Sequence, residues 1–359
     1  MTSPRNPFLG FLLKERLLLV SLAGLAGTSL FMERLPRLGW EDLEILFLLA
    51  VLFVTVKGLE RSGAVARISR RMERGAFLPL KLVGLTFFLS MVVTNDVALV
   101  VLVPLTLALE VERKDLLVIL EALAANAGSA LTPLGNPQNL FIYWTFHVPP
   151  GAFLLAVAPF SLVFLLLFAL ASLGVPSGRT GRGEADLPGL DRKAWVHGGL
   201  LLLVVLAVIR VLPLEAGWAV LLYALLFDRR ALRIDYALLA TLLCFFGISE
   251  NLKPLFHAPL ERADQVFLFS ALSSQVISNV PAAVLFGKFT TQWKALLWGV
   301  NVGGFGGLVG SLANLIAYKL YLGGSDGEGA AAFTARFLLL SYVCFFLGMG
   351  LYFLFHGGS

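Results

Sequence analysis

Along most of this chain the apolar residues form long unbroken runs and not a stripe on one face. Gly151 to Gly178, Ala295 to Tyr318 and Phe337 to Phe355 carry no charged residue. Each reaches the roughly 20 residues that a helix needs to cross about 30 Å of hydrocarbon. Further spans are predicted at Leu17 to Met32, Leu43 to Val56, Trp195 to Ile209, Gly217 to Phe227 and Tyr236 to Ser249. Leu43 to Val56 is short and calls for local thinning of the bilayer. An outer-membrane barrel would alternate polar and lipid-facing residues in segments of about ten, and no such period occurs. Helices are the remaining way to pair backbone groups in lipid.

Four elements break the pattern. Leu82 to Val93 and Val97 to Leu109 are apolar arms around the polar tip Thr94-Asn95-Asp96. Each arm is too short to cross comfortably, so the unit is predicted to be a re-entrant hairpin whose irregular tip is buried in protein or lines a wet cavity. From Leu116 to Phe146, apolar arms flank Asn126 to Asn139, where glycine and proline argue for unwound backbone. The order then recurs. Val266 to Phe286 holds Gln275, Ser278, Asn279 and Pro281 between apolar arms, and Trp293 to Tyr318 is interrupted by GGFGGLVGSLAN.

The fold class predicted is an all-α polytopic membrane protein of inverted repeats with two re-entrant hairpins and two discontinuous helices. Residues 1–175 form the first repeat and 213–359 the second; 176–212 supply a cytoplasmic linker, rich in glycine and charge from Pro176 to Lys193, and a connecting transmembrane helix. Counting gives nine full crossings and two hairpins, with the amino terminus cytoplasmic and the carboxyl terminus outside.

Composition removes the soluble alternatives. The 359 residues are 58% hydrophobic and 14% charged, against about 45–50% apolar and 25% charged in soluble domains. The net charge of +5 does not point to nucleic acid, because the basic residues sit in loops between spans. The most basic loop, Lys57 to Lys81, has Lys57, Arg61, Arg67, Arg70, Arg71, Arg74 and Lys81 against Glu60 and Glu73, which places it in the cytoplasm. It also reads as an interfacial helix with Leu59, Val65, Ile68 and Met72 toward lipid. Arg229, Arg230 and Arg233 mark another cytoplasmic turn. Leu17 to Met32 lacks a small-residue cleavage site and is read as a retained span. Cys244 and Cys344 are read as small buried hydrophobes, His147 and His257 as loop-side residues without a metal, and no P-loop is present. The chain is expected not to be an enzyme.

The candidate chemistry lies in the breaks. Unwound segments expose N–H groups at helix starts that attract anions and carbonyls at helix ends that attract cations. Asparagine supplies both donor and acceptor beside them. The candidate ion-binding residues are therefore Thr94, Asn95 and Asp96 at the first tip, and Asn126, Ser129, Thr132, Gly135, Asn136, Pro137 and Asn139 in the first broken helix. The second half contributes Ser278, Asn279 and Pro281 at its tip, with Ser311 and Asn314 in its broken helix. A sodium site is expected near Asn95, Asn136 and Asn279, with sodium or a proton as coupling ion and no other cofactor. The glycines from Gly303 to Gly310 serve close packing as readily as a site. Glu121 reads as a helix-end residue at the interface more than as a proton-coupling acid.

TNDVALVVLVP at Thr94 to Pro104, GSALTPLGNPQN at Gly128 to Asn139, SQVISNVPAAVL at Ser274 to Leu285 and GSLANLIA at Gly310 to Ala317 resemble the arsenite-efflux and NhaD-type permease family, within the ion-transporter superfamily that also holds divalent anion/sodium symporters. The resemblance implies a homodimer joined by scaffold domains, with transport domains that move across the membrane like elevators. It also implies that the tips at Asn95 and Asn279 and the breaks at Asn136 to Asn139 and Ser311 to Asn314 face one central site. Where the symporters have Ser-Asn-Thr tips, this chain has Thr94-Asn95-Asp96 and Ser278-Asn279-Val280, which brings it nearer the arsenite-efflux and NhaD-type branch. The function expected is ion-coupled transport of a small inorganic anion or oxyanion across the cytoplasmic membrane, with sodium/proton antiport as the alternative.

A cysteine introduced between Arg67 and Arg74 should react with an impermeant thiol reagent only from the cytoplasmic side, and one at the carboxyl terminus only from outside. Labelling in sealed cells and inverted vesicles checks this; reaction from the opposite faces would invert the assigned topology.

Overall fold

A helix in an apolar medium must keep its ladder complete, and this chain breaks its ladders at few places. The computed structural model describes residues 15–67, 77–109, 111–176, 192–255, 260–324 and 329–357. Among these, regular structure is helical, apart from one isolated bridge between Leu260 and Thr290. The first part contains α1 (Arg16–Phe31), α2 (Trp40–Arg61), α3 (Leu78–Val93), α4 (Asn95–Ala108), α5 (Lys114–Ser129), α6 (Pro137–Thr145) and α7 (Pro150–Leu173). The second contains α8 (Arg192–Val208), α9 (Trp218–Phe227), α10 (Tyr236–Leu252), α11 (Ala263–Ile277), α12 (Asn279–Gly287), α13 (Trp293–Gly303), α14 (Leu312–Gly324) and α15 (Ala330–His356).

Helix starts coincide with local signals. Pro79, Pro137 and Pro150 occupy first-turn positions of α3, α6 and α7, where a missing N–H costs nothing. Asp235 accepts from the Leu238 N–H at 2.9 Å at the head of α10. Asp42, in the first turn of α2, accepts from Gly39 N and forms an ion pair with Lys288 just beyond α12. That buried pair fastens the start of α2 to the second half of the chain.

Two groups of helices follow from burial. α5 is buried without interruption from Leu117 to Ser129, and α13 from Ala295 to Gly303; a helix apolar all round belongs inside. α3 packs along α5, and α11 along α13, as the two most extensive helix contacts. Both are close because glycine meets a small hydroxyl. A Cβ on Gly128 would collide with the Phe87 carbonyl and Ser90, and one on Gly299 with Ser270 and the Phe267 carbonyl. Ser90 and Ser270 bond their own helix carbonyls Phe87 O and Val266 O, each at 2.7 Å, so no hydroxyl is left bare. The remaining group is α1 on α10 and α2 on α8. Gly247 of α10 sits against Leu25 and Pro36, and Gly58 of α2 lies under the His197 ring. α7 and α15 present Leu155, Leu166, Phe346 and Leu354 on the outside, as a lipid-facing surface requires.

Several expectations change. The second span is not short: α2 continues to Arg61 for 22 residues, about 33 Å at 1.5 Å per residue, because its charged ends Glu41, Asp42, Lys57 and Glu60 stay helical. α9 has ten residues after a 3-10 turn at Leu214–Gly217, about 15 Å, well under a full crossing. Among the described residues, Pro150–Leu173, Tyr236–Leu255 and Ala330–His356 are the three helical stretches long and apolar enough to span by length and composition alone. Val65, expected toward lipid, is buried at 1% exposure. Ile68 and Met72 of that loop, the linker from 177 to 191 and His257 lie outside the described residues. Cys244 and Cys344 are free and buried, and His147 is exposed.

Gly128→Ala should weaken the fold by about 1–3 kcal/mol, the usual cost of overpacking. Gly84→Ala on α3, where nothing lies within 4 Å, should be neutral or slightly stabilising. Thermal unfolding of the detergent-solubilised chain compares them; equal midpoints for the two variants would refute the close approach of α3 and α5.

Candidate functional site

The two helix junctions share one unusual geometry. Thr94, between α3 and α4, has φ 73° and ψ 150°; Ser278, between α11 and α12, has φ 72° and ψ 156°. Left-handed φ in a non-glycine residue is strained and persists only where the surroundings hold it. The holding contact is the same in both. Asn95 N donates to Gly135 O at 3.1 Å, and Asn279 N donates to Gly310 O at 3.0 Å. Each junction is thereby tied to the break of the helix beside it, 130–136 between α5 and α6 or 304–311 between α13 and α14.

The breaks are capped by asparagine. Asn139, in the first turn of α6, donates through Nδ2 to Ser129 O, Ala130 O and Thr132 O at 2.9, 3.2 and 3.3 Å. Asn314, in the first turn of α14, donates to Gly304 O and Gly307 O at 2.9 and 3.2 Å. A buried carbonyl without a donor costs about 1–3 kcal/mol, so each amide repairs the end of one half-helix from the start of the next. The remaining amide groups cross between the halves. Asn126 Nδ2 donates to Asn314 Oδ1 at 2.7 Å, and Asn301 Nδ2 donates to Asn139 Oδ1 at 2.9 Å. Asn126 Oδ1 in turn accepts from Asn95 Nδ2 at 3.2 Å and Ser311 Oγ at 3.0 Å. Asn136 Nδ2 reaches Ser129 Oγ at 3.3 Å.

Most candidates from the sequence are brought together: Asn95, Asn126, Ser129, Asn136, Asn139, Ser311 and Asn314 lie in one buried hydrogen-bonded set. Asn279 joins its edge, with Nδ2 3.1 Å from where a Cβ on Gly304 would stand. Thr94, Gly135, Ser278, Pro137 and Pro281 shape backbone: Thr94 and Ser278 carry the positive φ of the two junctions, Gly135 supplies the carbonyl that Asn95 N reaches, and the prolines lie in the first turns of α6 and α12. Thr132 spends its hydroxyl on Met91 O and accepts from Gly135 N, which fastens the break to α3. Glu121 does not lie at a helix end facing the interface. It is fully buried within α5, with Thr106 Oγ1 at 2.6 Å from Oε1, because α5 begins seven residues before it at Lys114 and α3, α4 and α7 pack along that helix.

Asp96 parts from Asn95. Neighbouring residues on a helix point about 100° apart, so while Asn95 enters the asparagine set, Asp96 lines a separate cavity of about 200 Å³ with Thr94, Lys57, Glu60, Arg233 and Asp235. Lys57 and Glu60 pair at 2.9 Å there, and Asp96 Oδ1 is buried without a hydrogen-bond partner among the described residues. The cavity thus connects the α3–α4 junction with the charged ends of α2 and α10.

Three polar residues were missed. Asn301 completes the crossed pairs; its equivalence to Asn126 was readable, since each stands two residues before a glycine packed against a serine, Gly128 on Ser90 and Gly303 on Ser274. Gln275, noted in the sequence only as a polar interruption, donates to Gly303 O and Phe305 O and accepts from Gly307 N. Gln138 is fully buried, and neither amide atom has a hydrogen-bond partner among the described residues. The resulting centre offers amides, hydroxyls, backbone carbonyls and two helix starts, a set able to hold an oxygen-rich solute and a cation together.

Comparison with known proteins places the chain among transporters. A family described as citrate transporter matches residues 9–303. The uncharacterized transporter MJ0456 of Methanocaldococcus jannaschii is 31% identical over 328 residues, covering 88% of this chain and 89% of that protein. The inner membrane protein YbiR of Escherichia coli is 33% identical over 345 residues, covering 88% and 90%. The silicon efflux transporter LSI3 of Oryza sativa is 36% identical over 126 residues, 33% of this chain and 26% of that one. The chain is a multi-pass membrane transporter and not an enzyme, and it belongs to the citrate transporter family of the ion-transporter permease superfamily.

Proposed function

We propose that this transporter carries a small inorganic anion or oxyanion by an ion-coupled elevator movement in the cytoplasmic membrane. The observation that carries the reading is the crossed pair Asn126–Asn314 and Asn301–Asn139. It joins the two broken helices into one body whose centre is polar, buried and made of neutral groups, suited to a solute rich in oxygen. In this reading residues 1–175 and 213–359 are inverted repeats, the junctions at Thr94 and Ser278 are re-entrant tips, and α1, α2 and α8 to α10 form the scaffold of a homodimer. Sodium near Asn95, Asn136 and Asn279, or a proton, drives the cycle. The likeness of one stretch to a silicon efflux transporter supports placement beside the arsenite-efflux branch and an oxyacid cargo.

Asp96 supports a second reading, sodium/proton antiport, because its carboxylate faces a charged cavity with one oxygen bare. An ionisable group so placed in a membrane protein is a functional candidate by default.

Liposomes holding the purified chain should take up arsenite or silicic acid. Asn95→Ala and Asn279→Ala should each cut that rate by about tenfold or more while the protein stays folded, since each removes an amide worth about 1–3 kcal/mol in a buried site. Normal uptake by either variant would remove its tip from the site. Sodium/proton exchange in the absence of any oxyanion, lost in Asp96→Asn, would replace the oxyanion reading with the antiporter.

A further inference from the structure

Glu121 is a charged residue type at the centre of an apolar helix pair. It has no exposed surface, Leu117, Val118, Leu120 and Ala122 around it on α5 are buried, and Leu102 and Val103 are buried on α4. Its Oε1 takes the 2.6 Å hydrogen bond from Thr106 of α4, and its Oε2 is buried with no hydrogen-bond partner among the described residues. A membrane interior tolerates a carboxyl in this setting as the neutral acid far more cheaply than as an unpaired anion.

Among the described residues, no charge on the packed elements compensates it. On α5 itself Lys114 and Asp115 lie at the start, and Asp115 is six residues, about 9 Å of helix, from Glu121. Both are occupied: Lys114 bonds Leu107 O, and Asp115 pairs with Arg113 and Arg336. On α4 the other acid, Asp96, stands at the opposite end of the helix in the cavity already described. α3 carries Lys81 in its first turn, and α7 has no titratable side chain. On α14, Tyr318 bonds Thr334, Tyr321 stacks on Phe333 and Lys319 follows Tyr318 on the helix. On α15, Tyr342 rests on Phe345 and Phe346, Cys344 is buried, and Tyr352 and His356 pack around Trp298.

We propose that Glu121 is the proton-loading site of the transport cycle, distinct from the asparagine centre that holds the cargo; this rests on the transport reading above. One proton from water on one face binds the carboxylate, is carried as the neutral acid between α4 and α5, and leaves to water on the other face. The opening needed for exchange has a physical locus in Pro104, inside α4 and two residues before Thr106. It lacks the N–H that would hold the preceding turn, which loosens the helix there. Proton occupancy and α4–α5 contact are then linked reciprocally.

Two measurements test this on the full chain. Infrared difference spectra of the unmodified protein against Glu121→Gln, titrated between about pH 5 and about pH 10, should show a carboxylic-acid band that disappears reversibly in the former and is absent in the latter. A difference spectrum without a titrating band overturns the proposal. In proteoliposomes with arsenite as the probe and no membrane potential, a proton gradient of about one unit should shift the steady-state arsenite ratio about tenfold for one coupled proton. Glu121→Gln should leave that ratio near unity yet keep arsenite exchange at equal pH. A tenfold ratio in Glu121→Gln overturns the proposal. Should that variant fail to fold, Thr106→Val should move the band's midpoint by about one unit, and an unmoved midpoint overturns it. The infrared readout needs no cargo, so a titrating band in a chain that moves neither arsenite nor silicic acid supports the proton site and rejects only the cargo reading.

Discussion

Backbone polar groups in the middle of a membrane protein have no water to fall back on, and everything distinctive in this structure follows from how two interrupted helices meet that demand. At each interruption several carbonyls lose their intrahelical donors. Asn139 and Asn314 supply the missing N–H groups from the first turn of the next half-helix, and their own oxygens are then satisfied by Asn126 and Asn301. Each asparagine is thus both a repair for local backbone and a tie to the other half of the chain. Removing one leaves buried groups unpaired in both halves, so the network is worth more than its separate bonds.

The same demand explains the strained junctions. A helix that stops inside the protein at Thr94 or Ser278 exposes its successor's first N–H groups, and the Asn95 and Asn279 amides find carbonyls of Gly135 and Gly310. Glycine at those two positions brings the backbone close enough, since a Cβ on Gly135 would strike Ser129 and one on Gly310 the Gly303 and Phe305 carbonyls. Positive φ at Thr94 and Ser278 costs on the order of 1–3 kcal/mol each, offset by bonds that only this geometry permits. What results is a polar centre with its donors and acceptors already aimed, and at the second break Phe305 packs with Phe160 and Phe164 of α7.

Charge is kept outside this centre and divided. Lys57, Glu60, Arg233 and Asp235 meet Asp96 in a cavity beside the first junction, while Glu121 is sealed against Thr106 near the far end of α4. A neutral site flanked by two acids in different surroundings can separate cargo recognition from ion coupling, because each acid answers to its own solvation and neither must neutralise the cargo directly.

The sequence by itself determined the class and where the helices break. Polar tips such as Thr94-Asn95-Asp96 stand out because they interrupt uncharged runs, and GNP at Gly135 to Pro137 announces a break because glycine weakens a helix and proline removes one of its hydrogen bonds. The sequence could not separate Asn95 from Asp96, adjacent and equally polar, since only packing decides which of two helix neighbours faces the asparagine set and which the cavity. Nor did WGVNVGG mark Asn301 as a partner of Asn139, 162 residues away, because a crossed hydrogen bond is a property of two distant segments. Length misled at α2, where charged ends remain helical once Asp42 finds Lys288, and at Glu121, where an acid near a helix start reads as an interface residue until α3, α4 and α7 close over it. Local pattern reports which residues are unusual for a bilayer; only the folded arrangement, by pairing or failing to pair each buried polar atom, assigns them their work.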